Sequence, residues 1–189
     1  MATEEITKKI GPYTLVARRP SNSQDFAGVI WLDGKKVCQT DGDTLDEVMA
    51  LLESRRAEMV AVQLESNTTS NPTAEMARKA FVALASTQPS NRLKMLHAHF
   101  HAPEQCITAR QLAGAAGFAH FGAANLQYGL LAAAYWEHMP TEIPKRKDGS
   151  PIWTCALAEA GQIETANEDE WVWKLKPYVA DGLRLAGLW

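Results

Sequence analysis

Residues 108–136 limit the possible folds of this chain more than any other stretch of its sequence. Thr108 can cap a short helix over residues 109–116, and Gly117 can end that helix in a left-handed conformation. A turn then leads into a second helix over residues 122–136, which is rich in alanine. Two short helices joined by a tight turn with a glycine are typical of a helix-turn-helix.

The elements on either side extend this motif. Ser90 can cap a helix over residues 92–101, which precedes the pair. After the pair, residues 152–158 and residues 171–175 have the apolar or alternating composition that predicts strands. A short closing helix is expected after Pro177. The order helix, helix, helix, strand, strand predicts a winged helix rather than a plain three-helix bundle.

The first part of the chain predicts a small antiparallel sheet with one helix. Three short runs have strand composition, namely residues 13–18, 26–32 and 35–40. Asp33 and Gly34 lie between the last two runs and indicate a β-hairpin, because both residues tolerate positive φ. Thr44 with Glu47 matches a capping box, and apolar residues then recur at helical spacing towards Val62.

A polar segment follows this region. Residues 66–72 contain serine, asparagine, threonine and proline without apolar periodicity, which predicts an interdomain linker. Thr73 can then cap a helix over residues 74–85. We therefore predict an α+β protein in which residues 1–65 form a β-β-β-α domain and residues 73–189 form a winged helix-turn-helix domain.

Composition argues against several classes of protein. The net charge of −3 is not that of a protein that coats nucleic acid indiscriminately, although it allows a local basic face. Cys38, Cys106 and Cys155 are scattered and odd in number, so neither a disulfide framework nor a CxxC zinc site is expected. The sequence contains no signal-peptide pattern and no apolar run long enough to span a membrane. We therefore expect a cytoplasmic protein without a membrane partner.

The second half of the chain resembles a known module. Residues 107–118 and 122–129, above all Ala124-Asn125-Leu126-Gln127-Tyr128-Gly129, are similar to a winged-helix module of bacterial HNH-type, modification-dependent restriction proteins. Residues 96–103, 171–173 and 187–189 fit the same pattern. The resemblance implies a module that helps to read DNA, with modified cytosine as one candidate target. The chain lacks an HNH motif, so cleavage is not implied.

The second helix supplies the candidate base contacts. The carboxamides of Asn125 and Gln127 can each bond to the N6 and N7 atoms of adenine, and Tyr128 could stack on a base or bond to a phosphate. Ala123 and its small neighbours would allow close approach to the bases, since the start of a recognition helix usually does the reading. The alternative is that Asn125 and Gln127 are merely exposed polar positions on an alanine-rich helix.

Basic residues in this half suggest phosphate contacts. The compact basic cluster consists of Lys145, Arg146 and Lys147. As a wing tip this turn would contact phosphates, and Arg110, with Arg92 and Lys94, could add to the same surface. The alternative is an ordinary solvated turn.

Tryptophans suggest a pocket. Trp171 and Trp173 point to one face of the second predicted strand, and with Trp153 they could form an aromatic pocket for a flipped or methylated base. The alternative is that they close the core behind the wing, which is the commoner use of tryptophan in small domains.

No catalytic or cofactor site is predicted. The sequence lacks a nucleophile elbow, a P-loop, a dinucleotide-binding glycine pattern and paired carboxylates in an apolar setting. Of the three alternating histidines, only His97 and His101 would share a helix face, and no acidic partner is suitably spaced, so a metal is not expected. An enzyme site near Arg18 and Arg19 is a third-ranked hypothesis.

Two functions follow from these observations. The first is binding of double-stranded DNA by a winged helix in a restriction or phage-defence context. The second is a protein–protein module, such as an anti-defence or adaptor protein that inhibits or recruits a nuclease or another host defence protein. The net charge and the acidic residues 164–170, interpreted as a solvated loop, favour the second function.

Overall fold

The computed structural model describes residues 4–21, 23–162 and 171–189. The chain divides into two compact units, Met1–Ser66 and Asn67–Trp189, which we call the N-terminal and C-terminal units. The first contains an antiparallel four-stranded sheet and the second is mainly helical, which confirms the mixed α+β class. Within the described ranges, no helix is long and apolar enough to cross a membrane.

The N-terminal sheet has four strands in sequence order. They are β1 (Glu5–Ile10), β2 (Tyr13–Arg18), β3 (Phe26–Leu32) and β4 (Lys35–Gly42). The last three match the predicted runs, and Asp33 and Gly34 both have the positive φ expected of the hairpin. Strand β1 was not predicted from the sequence, because nearly all of its side chains are exposed and it therefore lacks a buried apolar stripe. Its Lys8 and Lys9 suit an edge strand.

Helix α1 (Leu45–Ser70) begins on this sheet. Gly28 of β3 provides the room, since a Cβ atom there would lie 2.5 Å from Cγ1 of Val48 and 3.0 Å from Cδ1 of Leu52. The Thr44 hydroxyl accepts a bond from the backbone N–H of Glu47, as predicted, at 3.1 Å. The Glu47 carboxylate bonds to the N–H of Asp43 instead of that of Thr44.

The end of α1 departs from the prediction. Residues 66–70 were expected in a linker but are helical, and the helix is interrupted only at residues 71–73. Asn67 is buried, and its side-chain N–H donates to the carbonyl of Pro140 at 2.7 Å. This tertiary contact helps to offset the weak helix propensity of the serines and threonines around it. Asn71, with φ of 57°, ends the helix.

In its described residues, the C-terminal unit contains five further α-helices. They are α2 (Ala74–Ala85), α3 (Ser90–His101), α4 (Ala109–Ala116), α5 (Phe121–His138) and α6 (Pro177–Leu185). All five lie close to their predicted positions. Their buried residues form one core, with Phe81, Leu96, Leu112 and Leu131 among its members.

A three-stranded antiparallel sheet completes this unit. Its strands are β5 (Cys106–Thr108), β6 (Ala158–Ala160) and β7 (Val172–Leu175), and their order in the sheet is β5-β7-β6. The strand predicted at residues 171–175 is confirmed as β7. The strand predicted at residues 152–158 is wrong, because Trp153–Ala156 is a 3₁₀ turn and β6 begins only at Ala158. A short apolar run does not by itself distinguish these two conformations. The predicted acidic loop at residues 164–170 lies outside the described residues.

Candidate nucleic-acid interface

The start and end of α4 are determined by local chemistry. The Thr108 hydroxyl accepts from the backbone N–H of Gln111 at 3.2 Å, and the Gln111 carboxamide accepts from the backbone N–H of Thr108 at 2.9 Å. At the other end Gly117 has φ of 76°, and the N–H of Phe118 bonds to the carbonyl of Ala113 at 2.9 Å. Both predicted caps are confirmed, and together they direct the chain into α5.

The first two turns of α5 present a surface of small side chains. Gly122, Ala123 and Asn125 are exposed, whereas Ala124 between them is buried. A Cβ atom on Gly122 would meet no other atom within 4 Å, so nothing in the protein obstructs this part of the helix. The Asn125 carboxamide therefore lies where a base edge could reach it.

Gln127 has a structural partner. Its side chain is half-buried, and its carbonyl oxygen accepts a bond from Nε of Arg92 at 2.9 Å. The same guanidinium donates to the Gln88 carboxamide at 3.1 Å. Gln127 therefore helps to attach α3 to α5, and it is less available than Asn125 for reading a base. These bonds also hold Arg92 beside α5. The sequence suggested Arg92 as an addition to the phosphate-contacting surface.

The expectation that Tyr128 contacts DNA is wrong. Its side chain is 1% exposed, and its hydroxyl lies 2.6 Å from Nδ1 of His99. Nε2 of His99 lies 3.0 Å from the backbone carbonyl of Trp173. Tyr128 shares its helix face with Ala124, Leu131 and Tyr135, which are all buried, so the helical period indicated its position.

This buried cluster has one consistent set of hydrogen bonds. A carbonyl only accepts, so Nε2 of His99 carries the hydrogen and Nδ1 accepts from the Tyr128 hydroxyl. Burial lowers the pKa of His99 to about 4, against the opposing effect of the Trp173 carbonyl. Burial also raises the pKa of Tyr128. Both side chains are therefore neutral and join α3, α5 and β7.

The basic turn is not where a wing tip would be. Lys145, Arg146 and Lys147 are exposed as expected, but they lie between α5 and the 3₁₀ turn. The chain between the neighbouring strands β6 and β7 is residues 161–171, whose sequence carries four acidic residues and no basic one. The wing-tip interpretation of the basic turn is therefore wrong. The sequence order already indicated this, because the basic turn precedes both predicted strands, residues 152–158 and 171–175.

The basic turn is internally braced. The Arg146 guanidinium donates to the carbonyl of Pro151 at 2.9 Å, and the Asp148 carboxylate accepts from both the backbone and the hydroxyl of Ser150. Those bonds from Ser150 lower the pKa of Asp148. Lys145 and Lys147 thus extend from an ordered turn, which suits phosphate contact better than a loose loop does.

The chain that follows the basic turn packs against the C-terminal end of α5. The ring of Trp153 meets that of Trp136 edge-on, with 5.6 Å between centroids. Trp136 lies about 20 Å along the helix axis from Gly122. The chain that follows the basic turn is therefore anchored away from the first turns of α5.

The three tryptophans do not form one pocket. Trp171 and Trp173 are in ring contact, with 5.6 Å between centroids, but in the described part of the chain no ring contact joins either of them to Trp153. Trp153 and Trp173 pack against the core, while Trp171 is 60% exposed. The expected base pocket is therefore reduced to the Trp171–Trp173 pair.

The candidate surface that results is almost uncharged. Arg110 is exposed in the first turn of α4. From Gln111 to Trp136 the sequence contains no aspartate, glutamate, lysine or arginine. Its exposed side chains include Leu126 at 62% and Leu130 at 41%, one turn apart on α5. The sequence analysis did not select these two leucines, although their helical spacing relative to the buried stripe was visible.

The described residues contain no group of three or more histidine, cysteine, aspartate or glutamate side chains that could hold a metal ion. His97 and His101 share a helix face, with 4.4 Å between ring centroids, while His99 is buried on another side. In comparisons with known proteins, no family model, curated protein or solved structure matches this chain.

Proposed function

We propose that the C-terminal unit is a winged-helix module that binds double-stranded DNA with the first two turns of α5 in the major groove. The observation that carries this proposal is the exposed Asn125 among unobstructed small residues at the start of α5. A carboxamide in that position suits adenine, and the absence of bulky neighbours permits close approach.

Topology supports the same proposal. The elements follow the order α3, β5, α4, α5, β6, β7, and the first strand lies beside the last one in the sheet. That order is the one expected of a winged helix, and it supports the proposal. The resemblance to modules of HNH-type, modification-dependent restriction proteins, and with it a preference for modified cytosine, stays a prediction.

The charge distribution predicts that phosphate contacts contribute a smaller share of the affinity than in most DNA-binding domains. Arg110, Lys145 and Lys147 can contact phosphates, but residues 121–136 of α5 include no aspartate, glutamate, lysine or arginine. Because each neutralised phosphate steepens the salt dependence by about 0.9 in log–log slope, the slope should be shallow for a DNA-binding domain. Base contacts should then account for a large share of the affinity.

A binding screen tests this proposal. The intact protein is titrated against pooled duplexes, unmodified and cytosine-modified, over a salt series, and the preferred duplex is then used with variants. Asn125→Ala should lower the preference by about 1–3 kcal/mol, which is about five-fold to a hundred-fold. Asn71→Gly is the matched control, because it removes another exposed carboxamide at a positive φ that glycine adopts. Absence of duplex binding at low salt would refute the proposal.

A protein partner is the second candidate function. The exposed Leu126 and Leu130, in a stretch without charged residues, suit an apolar contact with a nuclease or another defence protein. Leu126→Lys and Leu126→Glu distinguish the two candidates. On DNA the lysine variant should bind more tightly and the glutamate variant more weakly, whereas both should disrupt an apolar protein interface.

A further inference from the structure

A second binding surface is suggested by the sheet of the N-terminal unit. Helix α1 packs on the face of this sheet that carries Gly28 and Ile30. Successive side chains of a strand point to opposite faces, so Val29 and Trp31 lie on the other face, beside Val16 of the neighbouring strand. We call this surface, with Val16, Val29 and Trp31 at its centre, the open sheet face. It shares no residue with the candidate DNA surface, which belongs to the C-terminal unit.

The open sheet face carries an exposed aromatic side chain. Trp31 lies on β3, an interior strand of the sheet, and is 38% exposed. Val16 and Val29, one row away, are half-buried. Among the described residues, no aromatic ring or guanidinium group stacks on the indole of Trp31. The indole is therefore available for contact with another molecule.

Two lysines flank Trp31 in the same row of the sheet. The register pairs Trp31 with Lys36 on β4 and with Thr14 on β2. It also pairs Thr14 with Lys9 on β1. Paired residues share a face, so a row from Lys9 through Thr14 and Trp31 to Lys36 crosses all four strands. Because neighbouring strands are about 4.8 Å apart, the backbones of Lys36 and Lys9 lie about 5 and about 10 Å from that of Trp31, one on each side.

Both lysines of this row are available to an anion. Lys9 and Lys36 are exposed, and in the part of the chain that the structure describes neither ammonium group has a carboxylate within 4.0 Å. Lys36 donates to the neutral carboxamide of Gln39 at 2.6 Å. Lys8, which lies on the opposite face, is instead bound to Glu53 at 2.6 Å. Lysines on edge strands also hinder pairing with another sheet, but that role does not account for the tryptophan between them.

Positive charge is concentrated in the row of Trp31. The adjacent row consists of a threonine, two valines and a glutamine and carries no charge. The third row contains Glu5, Arg18 and Asp41, so its charges have both signs. At the nearby hairpin the charges of Asp33 and Lys35 are opposite in sign. An aromatic ring with an unpaired ammonium group on each side complements a ligand that alternates planar rings with negative charges.

We propose that the open sheet face binds single-stranded nucleic acid. A base stacks on the indole of Trp31, and the phosphates on either side of that base bond to Lys9 and Lys36. Every base has a π-face, so this contact does not require a particular sequence. The bases of a duplex are stacked on one another and cannot stack on a ring that lies on a flat sheet. An acidic peptide would engage the lysines but would leave the indole without a stacking partner.

Fluorescence anisotropy with the full chain tests this inference separately from duplex binding. The probes are labelled oligomers of deoxythymidine and of uridine of about ten nucleotides, which is within the range that one such surface covers. An oligoglutamate of equal charge serves as the competitor without rings. At least one of the two oligomers should bind at low salt, and their relative affinity distinguishes DNA from RNA as the source of the strand. The result does not depend on whether a duplex binds to α5. Binding of neither oligomer, or equally effective competition by oligoglutamate, would overturn the proposal.

Variants of the tryptophan locate the stacking contact. Trp31→Ala should weaken binding about fivefold to a hundredfold, the effect of losing one stacked base, and Trp31→Phe should retain most of the affinity. Leu51→Ala is the matched control, because Leu51 is 41% exposed in the same unit but lies on α1. It should leave the affinity unchanged. A folded Trp31→Ala variant with the parent affinity would overturn the proposal.

The salt dependence of binding identifies the phosphate contacts. Lys9→Gln and Lys36→Gln each remove one contact, so each should lower the log–log slope of affinity against salt by about 0.7. Lys8→Gln is the matched control on the same strand, and its slope should equal that of the parent protein. These variants keep the inference testable if Trp31→Ala fails to fold. Slopes that are unchanged in both Lys9→Gln and Lys36→Gln would overturn the proposal.

Discussion

The two buried polar clusters of the C-terminal unit differ in how their hydrogen bonds are satisfied. In the first, His99 joins the Tyr128 hydroxyl to the Trp173 carbonyl at 2.6 and 3.0 Å, and every polar atom of the trio has a partner. In the second, at the start of α6, the hydroxyls of Thr141 and Tyr178 lie beside each other, but neither forms a hydrogen bond of normal geometry with a described residue. Good hydrogen bonds offset the cost of desolvation in the first cluster, and the contact between the two hydroxyls offsets it less well in the second.

The completeness of its hydrogen bonds decides what each cluster contributes to the fold. A polar cluster whose bonds are complete makes the fold specific and leaves nothing for a ligand to bind. A cluster whose two hydroxyls contact only each other in poor geometry gains less stability for the same cost of desolvation. Tyr128, which the sequence suggested for DNA contact, belongs to the first kind. Tyr178, which the sequence did not suggest for any site, belongs to the second.

The largest effect should come from removing the centre of the complete cluster. His99→Ala leaves the Tyr128 hydroxyl and the Trp173 carbonyl without partners and opens a cavity, so we expect a loss of about 3–5 kcal/mol in unfolding free energy. Urea unfolding measures it. His97→Ala, which alters an exposed histidine two residues earlier, is the control and should change stability by about 0.5 kcal/mol or less. Similar losses in the two variants would contradict the role assigned to His99.

Acid should act on the same cluster. The folded pKa of His99 is lowered from 6.5 to about 4, chiefly by burial, so the unfolded chain takes up a proton at a higher pH than the folded one. The stabilisation is therefore complete above pH 6.5, declines as the pH falls towards 4, and is lost below that. The whole effect is about 3 kcal/mol.

Unfolding experiments between pH 7 and pH 4 measure this loss against a neutral variant. In His99→Gln the side-chain amide N–H can replace Nε2 as the donor to the Trp173 carbonyl. The amide does not titrate in this pH range. Its stability should depend less on pH than that of the parent protein. Parallel curves for the two proteins would mean that other groups cause the acid sensitivity.

A smaller effect is expected from Tyr128→Phe. It removes the donor to Nδ1 of His99 and leaves that nitrogen buried and unpaired, which should cost about 1–2 kcal/mol. Tyr135→Phe is the matched control on the same buried face, because the Tyr135 hydroxyl donates only to the sulfur of Met139, a weak acceptor. Thermal unfolding should rank Tyr128→Phe as the more damaging change, and the reverse order would be evidence against the bonding assigned to His99.

Features that depend on bonds between residues close together in the sequence could be predicted, and features that depend on bonds between distant residues could not. The caps of α4 at Thr108 and Gly117 were predictable because their bonds join residues a few positions apart. Residues 66–70 were mispredicted because the bond from Asn67 to Pro140 joins positions 73 residues apart. The start of β6 was mispredicted because it is determined by pairing with β7, which is distant in the sequence.

The contact between Thr141 and Tyr178 could not be predicted for the same reason. Thr141 lies in the segment after α5 and Tyr178 lies at the start of α6, and no spacing in the sequence relates them. Asn125 was predictable because its exposure depends only on its position within one helix.

The smallest effect compares two buried threonines directly. Thr108 and Thr141 are 4% and 6% exposed, but the Thr108 hydroxyl caps α4 whereas the Thr141 hydroxyl contacts that of Tyr178 without a hydrogen bond of normal geometry. Thr108→Val should cost about 1 kcal/mol through loss of the cap. Thr141→Val, with nearly the same shape change, should cost less, since the contact that it removes is a poor hydrogen bond. Chemical unfolding of both variants measures the difference, and a cost for Thr141→Val equal to that for Thr108→Val would mean that the Thr141 hydroxyl is as well bonded as that of Thr108.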